Sequence, residues 1–243
     1  MSLLAADADL EGLRDAQASK KVSVYLREMW DRRSYVTHVA KNELRHRQIT
    51  NVLGNLWHLL HTALTIAVFY VVFGLILQAD RGTDNFIAFL TVGLFVFQFT
   101  QKATLDGAKS IVTNKGIIKA VQFPRALMPI SSTLTELLAG LSAYAVMFAV
   151  ALMSGERPLA TWPLFAAVVA IQFVFNLGAA MVAARMATHF VDTIQILPFV
   201  FRLLLYGSGV IFSVDAYVVD NPVADVLFTL NPMYCFINLG RWT

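Results

Sequence analysis

The sequence is poor in charge. Lys, Arg, Asp and Glu make up 14% of its 243 residues, where a soluble domain carries about 25%. With 57% hydrophobic residues, a soluble chain of this size would have to leave much of that apolar surplus in water. Soluble globular, disordered and fibrous classes are thereby excluded. Cys235 is the single cysteine, so neither an intrachain disulfide nor a cysteine-based metal cluster can form. The net charge of +3 is too small for a nucleic-acid binder. No G-x-x-x-x-G-K-[ST] is present, so the chain has no phosphate-binding loop of its own; H-E-x-x-H and G-x-S-x-G are missing too. No basic stretch precedes the apolar residues of 1–20, which Asp7 and Asp9 interrupt. This segment is expected to be a loose cytoplasmic tail and not a cleaved signal.

What is there is a series of apolar runs, and these define an all-α, polytopic membrane protein. A span needs roughly 20 apolar residues. Five candidates occur, over 59–77, 85–101, 126–154, 158–184 and 193–214. Only the third and fifth contain a formal charge, Glu136 and Arg202. Alternate connections are rich in Lys and Arg, 15 on one side against 3 on the other. The positive-inside bias places the N-terminus in the cytoplasm and 215–243 outside. That last segment is not a clean span: 223–230 is too short, and Asn231-Pro232 breaks a helix. Two short re-entrant helices at the outer leaflet are expected there, packed on the spans or near a pore mouth. Before the first span, Val22, Tyr25, Leu26, Met29 and Trp30 share one helical face. This predicts an amphipathic helix over 21–31, lying in the headgroup plane or packed on protein.

The polar residues inside the spans are few. A centred arginine costs about 2.5–3.5 kcal/mol, and each Leu, Ile, Phe or Val returns about 0.3–0.6. The twelve such residues between Ile194 and Phe212 outweigh Arg202, so the helix inserts with Arg202 facing protein or water. Gln195, Phe199, Arg202, Tyr206 and Gly209 fall on one face. That stripe is either the lining of a hydrated pathway or a helix contact in which Arg202 pairs with Glu136 or a helix C-terminus. Glu136 is correspondingly either a functional carboxylate or that partner. The first span carries a weaker stripe of His58, Thr62, Thr65 and Phe69. Its histidines sit at a membrane edge, and no metal site is expected. The second span is rich in phenylalanine, with Phe86, Phe89 and Phe97 able to share a face. The i, i+2 spacing of Phe95, Phe97 and Phe99 spreads them around the helix, so most of the run is expected to be packing residues. For the face of Phe86, Phe89 and Phe97, lipid contact is a more frequent reason than stacking on sugars. No nucleophile–base set emerges, which disfavours a membrane enzyme.

Three segments, in order, resemble a known family. In 41–60 a basic stretch is followed by Thr50, Leu53, Gly54 and Trp57. In 114–131 Phe123-Pro124-Arg125 is followed by Pro129. At the end, Asn231-Pro232 is followed nine residues later by Arg241. Together they are similar to the type 2 ABC exporter permeases of the polysaccharide branch, over roughly residues 21–241. Thr62 stands where that branch often has proline. The branch also has a sixth span, which the resemblance leads one to expect in a longer natural protein.

The resemblance implies a homodimer in the bacterial inner membrane that binds two separate ATPase subunits. These carry ATP and Mg, so the chain itself needs no cofactor and is not an enzyme. The cargo it implies is a polyprenyl-pyrophosphate-linked polysaccharide such as O-antigen, teichoic acid or galactan. The segment 114–120 would be a coupling helix in an ATPase groove, with Asn114, Lys115, Ile117, Ile118 and Lys119 at the contact. The residues agree with that role, since 102–125 is the most basic inside loop after the N-terminus and Ile117, Ile118 and Val121 give it apolar anchors. Arg32, Arg33, Arg45 and Arg47 would attract the lipid pyrophosphate or anionic membrane lipid. The stripes of the fifth and first spans (Gln195, Phe199, Arg202 and Tyr206 with Thr62, Thr65 and Phe69) would line a sugar channel. Export of a drug or small lipid, a membrane glycosyl- or acyltransferase, and a channel or scaffold without ATPase are the alternatives.

Overall fold

The computed structural model describes residues 22–50, 56–76, 83, 85–120, 124–156, 160–214 and 222–243. The described residues are helical apart from turns and irregular connections. α1 (Val22–Asp31) and α2 (Arg33–Thr50) precede α3 (Leu56–Phe69), which continues as a π-helix over Tyr70–Ile76. There follow α4 (Phe86–Thr113), α5 (Lys115–Ala120), α6 (Leu127–Met153), α7 (Leu164–His189) and α8 (Thr193–Tyr206). Two short helices close the chain, α9 (Pro222–Thr229) and α10 (Pro232–Trp242). α4, α6 and α7 are each long and apolar enough to cross a membrane, and α3 with its π continuation and α8 are shorter apolar helices. The chain is a polytopic helical membrane protein.

α4 is the axis of the bundle. It is apolar on nearly all sides, and a helix of that kind must be enclosed. α6 and α7 flank it, with α3, α8 and α10 filling the remaining sides. Its phenylalanines are core residues: Phe95, Phe97 and Phe99 are buried, as their spread around the helix predicts. Phe86 is buried with them, so lipid contact does not explain the face it shares with Phe97. Phe97 meets Phe201 of α8 edge-on at 6.1 Å, and Phe99 meets Tyr144 of α6 at 6.4 Å. Tyr144 in turn packs edge-on against Phe165 of α7 at 5.2 Å. Such T-shaped pairs favour one mutual orientation of the rings and so of the helices that carry them.

Small residues set the close approach of α4 and α7. A Cβ added at Gly107 would lie 2.5 Å from Cβ of Ala180. Ala108, Ala183 and Ala187 continue the seam, in the manner of membrane helix pairs that approach through small side chains. Higher up, the Gln172 amide donates to Val96 O at 2.7 Å and to Thr100 Oγ1 at 2.9 Å.

The helix ends are tied by side chains. The Asn85 Oδ1 accepts from Ala88 N–H at the start of α4, and its Nδ2 donates to Ser154 O and Oγ at the end of α6. At the far end of α4, the Asn114 amide donates to Ser110 O. Nothing before Asn114 stops the helix, so 102–113, expected as loop, forms the last three turns of α4. The stretch 33–50, expected only as a lead-in, is helical and packs on α6, burying Val36 and Ala40. The Tyr25 hydroxyl accepts from Ala126 N–H at 3.1 Å, hooking α1 to the first turn of α6. Trp30 remains 69% exposed, with the Arg33 guanidinium over its ring.

Candidate functional site

The expected fifth span does not run to Val214. Pro198 lies inside α8, and the helix ends at Tyr206. At 1.5 Å per residue its 14 residues reach only about 21 Å, short of the roughly 30 Å hydrocarbon core. Beyond it, Gly207–Val214 is irregular, and Ser208, Val210, Ile211 and Val214 are buried. Irregular backbone at membrane depth is tolerated only where protein or water satisfies its polar groups.

α10 does this from both of its ends. At its start, Asn231 accepts from Met233 N–H as N-cap, the expected use of Asn before Pro. The Nδ2 of the same amide donates to Gly207 O at 3.0 Å and Ser208 Oγ at 2.9 Å. At the other end, Arg241 donates from Nη1 to Gly209 O and from Nη2 to Val210 O, both at 2.9 Å. Its Nε reaches Phe89 O on α4 at 3.3 Å, and the guanidinium stacks on the Phe89 ring. Two glycines admit this arrangement. Gly209 takes a φ of +62°, a left-handed conformation that suits glycine. At Gly93 a Cβ would lie 2.7 Å from Arg241 Nη2 and 3.2 Å from Val210 O.

The stripe on α8 divides. Gln195, Phe199, Arg202 and Tyr206 are all exposed, whereas Gly209 lies past the helix end and is buried. Arg202 carries its guanidinium over the Phe199 ring at 5.6 Å. Glu136 is buried on α6, 4% exposed, while Arg202 points out of the bundle. On α3, Thr65 and Phe69 are half-buried. Phe69 packs against the core and edge-on to Phe73, so it does not present its ring outward. The side chain of Thr62 lies outside the described residues. α3 and α8 each pack on α4.

At the opposite end of α4, Asn114 forms the corner and α5 follows as a separate short helix. Lys115 and Gly116 are exposed and Ile118 is half-buried; the side chains of Ile117 and Lys119 lie outside the described residues. Arg32, Arg33 and Arg45 are exposed. Arg33 and Arg45 are twelve residues apart on α2, which is about 18 Å along a helix, so one headgroup cannot be gripped by both. The side chain of Arg47 is outside the described residues.

The sequence reading missed the polar pair Gln172 and Asn176 in α7, both fully buried. Their i, i+4 spacing within an otherwise apolar run is the signal that marked them.

No family model matches the chain. An O-antigen export system permease protein (RfbA) of Klebsiella pneumoniae is 24% identical over 204 residues, 81% of this chain and 78% of the relative. The protein of that name from Myxococcus xanthus is 26% identical over 210 residues, 86% of this chain and 79% of the relative. The chain is a distant homologue of O-antigen export permeases. In this permease homologue, the matched length is enough to take in most of the bundle.

Proposed function

We propose that the chain is the membrane subunit of an ATP-driven exporter that moves lipid-linked polysaccharide of the O-antigen type across the bacterial inner membrane. The observation that carries this reading is the homology to O-antigen export permeases along four-fifths of the chain. Separate ATPase subunits hold ATP and Mg, and two copies of the chain form the conduit. α3 and α8 act as the first and fifth spans alongside α4, α6 and α7, with the N-terminus cytoplasmic. The basic corner at Asn114 then faces the cytoplasm, and α10 and the broken end of α8 face outward.

Two features support the assignment of parts. Lys115 and Ile118 stand on a short helix projecting from the end of α4, which gives an ATPase groove a charged and an apolar contact. Arg202, Tyr206 and Gln195 are exposed on a helix that enters hydrocarbon, where a cation facing lipid is costly. A watery path between two copies removes that cost and gives sugar hydroxyls partners. Arg32 and Arg33, exposed at the junction of α1 and α2, meet the lipid pyrophosphate in this reading.

Purification of the tagged chain in mild detergent from its host tests the reading. A stoichiometric subunit with a Walker A motif is expected to come with it. Deletion should strip the polymer from the cell surface. A homo-oligomer with no ATPase, and an unaltered surface after deletion, would overturn it.

A further inference from the structure

A cavity of about 520 Å³ opens at the end of the bundle where α4 begins, α6 ends and α10 packs. Its size falls in the ~300–1,000 Å³ range of small-molecule sites. It is distinct from the α8 stripe, none of whose residues lines it. We propose that this cavity binds a short stretch of neutral saccharide, as a site within each protomer beside the conduit. The inference rests on the export reading for its substrate class.

The lining supplies both things a sugar ring needs. Trp162 forms an aromatic wall, held in place by Phe148 at 4.9 Å between centroids. Phe148 is itself fixed edge-on to Phe165 at 5.3 Å. The ring is therefore set before any ligand arrives, which lowers the ordering cost of binding. Facing it, Tyr234, Asn238 and Arg241 lie on one side of α10, at i, i+4 and i+7. The Asn238 amide makes no hydrogen bond among the described residues and offers two donors and an acceptor. Glu156, also in the lining and half-buried, adds an acceptor for hydroxyls. Paired apolar ring faces and amide or carboxylate groups suit a ligand with apolar C–H faces and a rim of hydroxyls.

Charge decides against a phosphate. Among the described residues of the lining, Glu156 and Arg241 are the two formal charges, and they cancel. Three of the five Arg241 N–H groups already serve backbone carbonyls. From these residues a pyrophosphate would meet no net positive charge, and it would meet the Glu156 carboxylate.

The test is saturation-transfer NMR on the full chain in nanodiscs, with neutral trisaccharides of galactose, mannose or rhamnose as probes. Inorganic phosphate and pyrophosphate serve as competitors. Transfer to ring protons is expected from at least one trisaccharide, with affinity weakened at least tenfold in Trp162→Ala and in Asn238→Leu. Val174→Ala, on the outward side of α7, should bind as the parent does, and neither anion should compete. Each variant's thermal midpoint checks folding, and the two single changes sit on different elements. Absence of transfer from every trisaccharide, unchanged binding in both variants, or displacement by pyrophosphate would each overturn the proposal. Surface-polymer assays in the host separate the two ideas: no binding, or binding unchanged in both variants, with surface polymer lost on deletion defeats only the cavity, and intact surface polymer in a deletion strain defeats the export reading.

Discussion

Arg241 has a task that only its own geometry can perform. Three N–H groups on a planar fork reach three carbonyls from two elements while the flat face rests on Phe89. Hydrogen bonds from a charged donor are worth about 1.5–3 kcal/mol each when the site is buried. Arg241→Met should lower unfolding stability by at least about 2 kcal/mol, read by thermal or steric-trap unfolding in detergent. Arg241→Lys should recover only part of that, because an ammonium is a point donor without the fork. A lysine variant as stable as the parent would show that charge alone suffices there. The glycines give an equally sharp contrast. At Gly93 a methyl group meets the half-buried Arg241 guanidinium, held by three carbonyls, and the Val210 carbonyl; at Gly107 it meets the Cβ and backbone of Ala180. Gly93→Ala and Gly107→Ala should each cost about 1–3 kcal/mol by overpacking. Gly116→Ala, with nothing within 4 Å, should leave the melt unchanged or raise it slightly through helix propensity.

At the scale of elements, the interface of α4 and α7 contains a polar group whose worth can be read from its sign. Gln172 donates two good hydrogen bonds across it, but both amide atoms of Asn176, one turn on, have no partner among the described residues. An unsatisfied buried polar group costs about 1–3 kcal/mol, while an apolar group of like shape can be neutral or better. Asn176→Leu should therefore keep or raise stability, and Gln172→Leu should lower it by about 1 kcal/mol. Opposite results would mean that Asn176 binds a structural water that the leucine displaces. The corner at α5 is an element of another kind, with few contacts beyond the end of α4. Lys115→Glu and Ile118→Asp should leave the melt intact and abolish co-purification of the ATPase, together with export. Retained ATPase binding in both would remove α5 from the coupling contact.

These elements also show what could be read from residues alone. The apolar helices were legible because long uncharged runs have no other use, and Asn231-Pro232 marked the break between two short helices at the end. The length of α4 was not, because Lys102 and Lys109 look like the edge of a membrane although nothing in 102–113 breaks a helix. The end of α8 was hidden for the opposite reason. Its apolar run continues to Val214, and the break is made by contacts from Asn231 and Arg241, more than twenty residues away in sequence. The spread of Phe95, Phe97 and Phe99 around α4 marked them as packing residues, but the face of Phe86, Phe89 and Phe97 suits lipid as well as a core. Only the helices packed on every side decide between them.

For the whole molecule, the decisive fact is which surface stays uncovered. α8 buries Phe201 against Phe97 on one side and leaves Phe199 63%, Leu203 75% and Tyr206 51% exposed on the other, with Arg202 among them. In a single copy, that face would put a guanidinium into hydrocarbon, at about 2.5–3.5 kcal/mol by insertion scales. A second copy facing it across a hydrated path relieves the cost. If so, α8 of one protomer and α8 of its partner line the same space. Cys235 is exposed and would be changed to Ser first. In that background, Leu203→Cys should cross-link between protomers with a bifunctional thiol reagent, and Val174→Cys on the outward side of α7 should not. Arg202→Ala and Tyr206→Ala should then reduce export severalfold while dimer and ATPase stay bound, because the fold does not lean on either side chain. If α8 fails to cross-link and both variants export normally, the exposed face meets lipid and the path for the polymer lies elsewhere in the dimer.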